Sequence, residues 1–305
     1  MGRTEPSVGQ PPASFRRVAR AKRAKATINQ LIPSLLSTHP RARQGIEQTE
    51  LIVEPQPLQT TEISPTSSDD AGPRLTLHVA DTLTAARSLI ADDASSEKGA
   101  KKSRVAILNM ASPLSPGGGF LNGASSQEES LCMRTTLLPS LKDHFYRLPE
   151  LGAVYTPDVL VFRNEGSDDV LAKADRYFVD CISAAMLRGP ETERKDKGWA
   201  GYANEKDREL VLQKMRTVMR VCQLKGVTHI VLGAWGCGAY GNPVNEVASA
   251  WRKVLFPKKD VKGNKKKRKE MWPSVKEVVF AIKDVGMADA FNIAFGSGLD
   301  CKKKI

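Results

Sequence analysis

Short apolar runs alternate with longer stretches in which apolar residues recur every three to four positions, from about residue 74 onward. The runs are rich in β-branched residues and apolar on both faces, which is typical of strands in a sheet that helices cover on both sides. The predicted strands are Leu75–Val79, Arg104–Met110, Val159–Phe162, Tyr177–Ile182, His229–Ala234 and Val278–Ile282.

The stretches between these runs predict amphipathic helices, at 81–90, 125–138, 204–224 and 243–255. Asp81 is positioned to cap the first helix, and Ser125 or Ser126 to cap the second. Strands that alternate with helices in this way predict a three-layer α/β/α domain.

The first 73 residues have a different character. Residues 1–13 contain Gly, Pro, Ser and Gln without periodicity, which predicts a disordered N-terminus. Residues 14–53 are interpreted as a helical extension that packs on the main domain. The Pro-, Ser- and Thr-rich segment 54–73 predicts a flexible connector, so that the main domain covers residues 74–305.

The charge is concentrated in one place. The chain has 46 basic and 34 acidic residues and a net charge of +12, and residues 252–269 hold ten basic residues and one acid. The basic insertion 257–271 is therefore a solvated surface segment, a weak contact for a polyanion through Lys258–Lys269, or a nuclear import signal around Lys265–Lys269. The smaller basic stretch Arg16–Lys25 leaves the same alternatives open.

Composition excludes several classes of protein. No apolar run is long enough to cross a bilayer, and the N-terminus lacks the apolar segment of a secretory signal, so we expect no membrane contact. Five widely spaced cysteines without a Cys-X-X-Cys pair argue against structural zinc and a disulfide scaffold. We therefore expect an intracellular protein, in the nucleus, the cytoplasm or both, without a metal or a cofactor.

Two glycine-rich loops carry the candidate chemistry, and each joins a predicted strand to a predicted helix. The first runs from Asn109 through Gly117–Gly119 to Gln127-Glu128-Glu129, and the second spans residues 233–243. Backbone without Cβ atoms allows close approach of a ligand, and successive amide N–H groups followed by a helix can bind an anion. Neither loop fits the common nucleotide-binding motifs. Glycine-rich turns also occur for purely structural reasons. The presence of two such loops in one sheet makes this structural alternative weaker.

The stretch GGGFLNGASSQEE, with its GGG-X7-QEE pattern, resembles the signature of poly(ADP-ribose) glycohydrolases of the bacterial or microbial type, which are also found in fungi. The resemblance extends over most of residues 15–298 and includes the loop GAWGCGAYGNP. It implies a macrodomain with a mixed central sheet and ADP-ribose in a cleft at the strand ends. The implied reaction is hydrolysis of ribose–ribose bonds, mainly from chain ends, to release ADP-ribose.

Breaking an O-glycosidic bond requires a proton donor for the leaving oxygen and an activated water. Adjacent residues on a helix diverge by about 100°, so Glu128 and Glu129 are expected to have different roles rather than to flank one bond as a pair. The resemblance implies that Glu129 is the general acid/base and that Glu128 binds ribose hydroxyls.

The resemblance also implies a set of substrate contacts. Gly117–Gly119 would line the ribose and diphosphate, Gln127 would support substrate or loop, and the amides of Gly236–Tyr240 would hold the diphosphate. Tyr240 replaces the Phe more common in the family. The predicted substrate-binding residues are Asn109, Gly117, Gly118, Gly119, Asn122, Gln127, Gly236, Cys237, Gly238, Ala239, Tyr240 and Phe295. Phe295 is expected to close the adenine or ribose end of the cleft, with a core position as the alternative, and Cys237 is interpreted as a small loop residue rather than a nucleophile.

Three functions compete at this point. The first is poly(ADP-ribose) glycohydrolase activity, by a monomer that acts on poly(ADP-ribose) and ADP-ribosylated proteins. The second is a macrodomain that binds ADP-ribose without cleaving it, which the intact Gln-Glu-Glu sequence disfavours. The third is a hydrolase that removes mono-ADP-ribose from protein or nucleic acid, which the basic segment keeps open.

Overall fold

The computed structural model describes residues 12–57, 72–94, 103–167, 169–194, 198–256 and 270–302. Its helices are α1 Ala13–Ala26, α2 Ile32–Thr38, α3 Pro40–Glu47, α4 Thr82–Ala94, α5 Gln127–Arg134, α6 Glu205–Leu224, α7 Val244–Leu255 and α8 Val285–Phe295. Its strands are β1 Glu50–Val53, β2 Arg74–His78, β3 Val105–Met110, β4 Gly152–Val161, β5 Tyr177–Ala184, β6 Thr192–Arg194, β7 Ala200–Tyr202, β8 His229–Leu232, β9 Glu277–Ala281 and β10 Asp300–Lys302.

Eight of these strands form one mixed sheet in the order β1-β4-β5-β3-β8-β9-β2-β10, and β6 pairs with β7 in a separate ribbon. The β1/β4 and β4/β5 pairs are antiparallel, whereas the pairs from β5 through β3, β8, β9 and β2 to β10 are parallel. The parallel strands therefore place their carboxyl ends at one edge, where α/β proteins bind their ligands.

Helices cover both faces of the sheet, which confirms the predicted three-layer mixed α/β architecture. The larger core contains a run of aromatic rings from Trp235 through Trp251 and Phe280 to Phe291, with neighbouring ring centroids 4.9–6.3 Å apart. The core on the other face contains α4 residues such as Leu83, together with the interior-facing side chains of the central strands.

The helix caps follow the predicted pattern with one difference in length. The Oδ1 atom of Asp81 accepts a hydrogen bond from the Leu83 amide at 3.0 Å at the start of α4. Helix α5 ends at Arg134 rather than near Leu138. It ends there because Thr135 adopts an extended conformation and forms a β-bridge with Val161.

The segment before residue 54 contains three helices and also a strand. Ile32, Leu35 and Ala42 form a small apolar cluster with two residues at the end of β4 and just beyond it. Strand β1 pairs with β4, so the last residues of the predicted helical extension belong to the main sheet. Short strands β1, β6, β7 and β10 were not predicted.

Several sequence predictions fall outside the described residues. Most of the predicted disordered N-terminus, most of the 54–73 connector and nearly all of the 257–271 basic insertion lie there. The predicted domain boundaries and the alternatives for the basic insertion therefore stay predictions. No helix among the described residues has both the length and the apolar character needed to span a bilayer.

Candidate functional site

The two glycine-rich loops leave the sheet at the same edge. They follow β3 and β8, which are parallel neighbours in the middle of the sheet, with Val105 opposite His229. The loops also approach each other, because Tyr240 of the second lies beside Ser112 and Glu128 of the first. The structure thus brings together the two segments that the sequence singled out.

The adjacent glutamates lie in the first turn of α5 and are both buried, with 3% of Glu128 and 8% of Glu129 exposed. Glu129 accepts a hydrogen bond from the Gly119 amide at 2.9 Å and another from the Ser126 amide at 2.8 Å. The second bond is half of a capping box, because Ser126 is the residue that precedes the helix. Glu128 accepts a hydrogen bond from the Ser112 amide at 2.8 Å.

The two carboxyl groups converge on the backbone of Gly118. A Cβ atom on Gly118 would lie 2.8 Å from Oε1 of Glu129 and 2.9 Å from Oε2 of Glu128. The prediction that these neighbouring side chains diverge is therefore wrong at their carboxyl ends. Glu129 reaches back toward the N-terminus of α5 to complete the capping box, and this brings its carboxyl group to the loop that also contacts Glu128.

Each of the three consecutive glycines meets a different steric requirement. Gly117 and Gly118 have left-handed backbone angles, with φ of +67° and +56°. A Cβ atom on Gly117 would lie 2.6 Å from Cδ1 of Leu138, and one on Gly119 would lie 2.7 Å from the Cβ of Ala124. The glycines therefore let the loop fold tightly against the paired carboxyl groups.

Burial raises the pKa of Glu128 from its ordinary value of 4.5 to about 7, and the neighbouring charge of Glu129 adds to this effect. Hydrogen bonds from Ser112 and Asn109 favour the charged form and offset part of the shift. Glu128 is consequently still partly protonated near neutral pH, so this end of the site can hold a carboxyl proton there.

Asn109 and Gln127 lie behind the carboxyl pair and support it. Asn109 is fully buried, and its Nδ2 donates to Oγ of Ser183 at 3.0 Å and contacts Oε1 of Glu128 at 3.4 Å. Gln127 accepts from the Met110 amide at 2.9 Å and donates to the Leu108 carbonyl at 2.8 Å. Asn109 was predicted to contact substrate, but the structure leaves it no exposed surface and places its amide against Glu128.

The side chain of Asn242 holds the second glycine-rich loop in place, and Asn242 was not among the predicted site residues. Its buried side chain donates to the carbonyls of Leu187 at 2.8 Å and Gly236 at 3.1 Å and accepts from the Tyr202 hydroxyl at 2.8 Å. Gly236 has a φ of +78°, and a Cβ atom there would lie 2.6 Å from Nδ2 of Asn242. The available signal was a polar residue between the last glycine of the loop and the proline before α7.

Backbone amides of the second loop are available for a ligand. The N–H groups of Cys237 and Asn242 bond within the loop. Within the described parts of the chain, those of Gly236, Gly238, Ala239 and Tyr240 donate to no protein acceptor. Gly238 and Ala239 are exposed, and α7 begins directly after the loop, so its partial positive charge adds to that of the amides. This arrangement suits a diphosphate.

Two aromatic residues and one cysteine near the site have structural positions. Phe295 is 1% exposed and its ring centroid lies 5.6 Å from that of Phe280, so the expectation that it closes the cleft is wrong and it belongs to the core. Trp235 is also 1% exposed. Burial raises the pKa of the Cys237 thiol to about 12, which keeps it protonated and unreactive at neutral pH.

A cavity of about 310 Å³ opens at the same sheet edge, beside Gln127 and Met110. Asp81 and Arg134 line it and form an ion pair at 2.7 Å. Burial opposes the charge on Asp81, but the guanidinium of Arg134 and the hydrogen bonds to Asp81, including that of Thr84, together outweigh it and leave the pKa of Asp81 below its ordinary value. From the sequence, Asp81 was predicted only as a helix cap, and Arg134 only as part of a helix. The cavity also contacts Ser126, Gln127 and Ser130 at the start of α5, the helix that carries the two glutamates.

The described residues contain no group of three or more His, Cys, Asp or Glu side chains arranged to hold a metal ion. Asn122, predicted to contact ribose, is exposed, and its carbonyl accepts a hydrogen bond from Nε of Arg17 at 2.9 Å. The unpaired amides, the carboxyl pair and the cavity all lie at the sheet edge where β3, β8 and their parallel neighbours end, and together they make up the candidate site.

Comparison with known proteins gives a consistent result. Residues 35–164 match the family described as microbial-type PARG, catalytic domain. The crystal structure of poly(ADP-ribose) glycohydrolase from Thermomonospora curvata has a TM-score of 0.67 and 26% sequence identity, and the match covers 92% of this chain and 100% of that chain. A variant of the enzyme from Deinococcus radiodurans in complex with ADP-ribose has a TM-score of 0.62 and 24% identity, over 85% of this chain and 98% of that chain. No curated protein matches the chain in sequence.

Proposed function

We infer that this chain is a glycohydrolase that cleaves ribose–ribose O-glycosidic bonds of poly(ADP-ribose) and releases ADP-ribose, because residues 35–164 match the microbial-type poly(ADP-ribose) glycohydrolase family and the fold resembles that of solved members. The inferred reaction type, hydrolysis with a carboxyl group as proton donor, rests on one observation. Two buried carboxyl groups meet at Gly118, and burial raises the pKa of one of them to about 7. A protein that only binds ADP-ribose does not need a buried proton donor at this position.

Glu129 is the general acid and base of the proposed reaction. Its carboxyl proton passes to the leaving ribose oxygen as the C1–oxygen bond breaks and the sugar becomes oxocarbenium-like. The resulting carboxylate then takes a proton from the water that attacks C1, which restores the starting state. The Gly119 and Ser126 amides hold this carboxyl group in place against the glycine-rich loop.

Glu128 binds and orients the ribose of the bond that is cleaved. As a carboxylate it accepts hydrogen bonds from ribose hydroxyls, and Ser112 and Asn109 fix its position from behind. One observation favours the opposite assignment of roles, because the raised pKa belongs to Glu128. The two assignments predict opposite pH dependence, which makes them separable.

The second loop holds the diphosphate. The amides of Gly236, Gly238, Ala239 and Tyr240 have no protein acceptor among the described residues, and they belong to a loop that Asn242 fixes and that precedes the positive end of α7. An anion bound there needs no metal to neutralise it. The neighbouring cavity beside Asp81 takes the nucleoside, and Tyr240 packs on the ribose between the loops. Cleavage from chain ends, action on ADP-ribosylated proteins and a monomeric state stay predictions.

The test uses polymer attached to an automodified poly(ADP-ribose) polymerase, with release of ADP-ribose as the measurement. Wild-type protein should degrade the polymer, and Glu129→Gln should lower kcat by roughly 10²–10⁴-fold, the usual effect of losing a general acid. Glu209→Gln, on the exposed surface of α6, is the matched control and should retain wild-type rates. Polymer that persists at high wild-type concentration would exclude the glycohydrolase, and full activity in Glu129→Gln would exclude the assigned acid.

A further inference from the structure

Helix α1 is strongly basic and lies beside the first glycine-rich loop. It contains six Arg and Lys residues and no acidic residue, and residues 12–46 as a whole contain eight basic residues and no acid. The function proposed above gives this charge no role.

The helix packs directly on the outer side of the glycine-rich loop. A Cβ atom on Gly123 would lie 2.0 Å from the Arg17 carbonyl oxygen and 3.1 Å from the Ala21 amide nitrogen, so only glycine allows this contact. The Nε atoms of Arg17 and Arg20 donate to the carbonyls of Asn122 and Gly123 at 2.9 and 2.8 Å. Helix α1 is therefore anchored to the same short loop whose Gly119 amide holds Glu129.

Four of the basic residues of α1 keep their charge without an acidic partner among the described residues. Arg17 and Arg20 bond to neutral carbonyls, and no carboxylate in the described segments forms an ion pair with them or with Lys22 and Lys25. The two lysines are exposed. An exposed cationic surface next to a cleft that takes a polyanion raises the local concentration of that polyanion.

The outer face of α1 also carries apolar side chains. Phe15 and Val18 are each 69% exposed, and with Lys22 and Lys25 they lie at spacings of three, seven and ten residues on one side of the helix. We call these four residues the α1 face. An exposed aromatic ring next to lysines suits a nucleotide, since bases stack on aromatic rings and phosphates attract ammonium groups.

We propose that the α1 face binds the ADP-ribose unit of the polymer that lies beyond the scissile bond. Its base stacks on Phe15, and its diphosphate pairs with Lys22 and Lys25. The inference rests on the proposed function, because it takes the occupant to be the next unit of the same polyanionic chain. That unit must leave the site past Glu129, and the loop that holds Glu129 is the one on which α1 packs.

The experiment compares the double variant Lys22→Glu/Lys25→Glu with Lys206→Glu/Lys253→Glu, which changes the net charge equally at exposed lysines on α6 and α7. We measure the KM for polymer at about 50 and about 200 mM salt. KM should rise with salt in both double variants, and the loss of two phosphate contacts should make this rise about sevenfold smaller in Lys22→Glu/Lys25→Glu than in the control variant. Phe15→Ala should raise the KM by about fivefold or more with an unchanged kcat.

Inhibition by free ADP-ribose provides the internal reference, because a single unit fills the cleft without reaching α1. The inhibition constant should be the same in wild type and in the α1-face variants. An equal KM and salt dependence in the two double variants would overturn the inference, and so would an equal loss of free ADP-ribose binding in the α1-face variant. Direct polymer binding is measured on the same proteins. If wild-type protein did not degrade the polymer, the proposed function would be refuted, but the binding of polymer to wild type and to the variants would still test the α1 face.

Discussion

The buried carboxyl group of Glu128 should cost the folded protein stability above neutral pH. Its pKa rises from 4.5 to about 7 on folding, mainly because burial disfavours the charged form. An acid with a raised pKa in the folded state binds its proton more tightly there than in the unfolded chain. Its favourable contribution is complete below pH 4.5 and is lost as the pH rises through 7.

The size of the effect follows from the shift. A pKa that changes from 4.5 to about 7 on folding corresponds to about 3 kcal/mol of unfolding free energy. Most of this, about 2–3 kcal/mol, is lost between pH 5 and pH 8. Replacement of Glu128 by Gln removes the titration, keeps the size of the side chain, and leaves an oxygen that accepts from the Ser112 amide.

Urea unfolding of wild type and Glu128→Gln at pH 5 and pH 8 measures this loss. The stability difference between the two proteins should shift by about 2–3 kcal/mol in favour of the variant at pH 8, and other titrating groups cancel in the comparison. A shift smaller than about 0.5 kcal/mol would show that Glu128 does not titrate near neutrality in the folded state. A shift in favour of wild type would mean that its charged form is stabilised rather than penalised.

The same site gives further expectations. If the charged form of Glu128 binds ribose hydroxyls, kcat/KM should rise about ninetyfold from pH 5 to pH 8 as Glu128 ionises, and the Glu128→Gln variant should not show this rise. A steady-state rate that instead falls as the pH rises through 7 would identify Glu128 as the proton donor. Gly118→Ala should lower kcat by more than about tenfold, because the new methyl group displaces both carboxyl groups; unchanged kinetics would contradict their convergence. Asn242→Ala should lower stability by about 2 kcal/mol in urea unfolding and weaken ADP-ribose binding in calorimetry, since it leaves buried groups unpaired. Cys237→Ala should retain its activity in the polymer assay because the thiol is protonated at neutral pH, and a large loss of rate would restore it as a reactive group.

The central strands could be predicted because each is apolar on both faces, and their observed ends differ from the predicted ones by a few residues. Strand β4 begins seven residues earlier than predicted, at Gly152. Its first half contains Tyr155 and Thr156, whose polar atoms are satisfied by partners distant in sequence, such as Asp180 and Ser140. Hydrophobic patterning cannot detect such partners. The missed edge strands β1, β6, β7 and β10 are three or four residues long, too short to establish a period.

The Glu128–Glu129 pair shows that a sequence motif can locate a site without predicting the geometry of its side chains. Sequence spacing places Glu128 and Glu129 on different sides of a helix, and only the capping contact to Ser126 and the bond to the Gly119 amide turn Glu129 back toward its neighbour. These bonds depend on left-handed backbone angles that glycine tolerates at Gly117 and Gly118.

The GGG-X7-QEE pattern therefore records the packing of a loop around two carboxyl groups as well as contacts with a ligand. Gly117 is required by Leu138, Gly118 by both glutamates, and Gly119 by Ala124, and each constraint comes from the protein itself. A side chain at Gly118 or Gly119 would contact the carboxyl group of Glu129, and one at Gly117 would displace Leu138. The loop is thus built to position carboxyl groups in the absence of substrate, which is what preorganised acid–base catalysis requires.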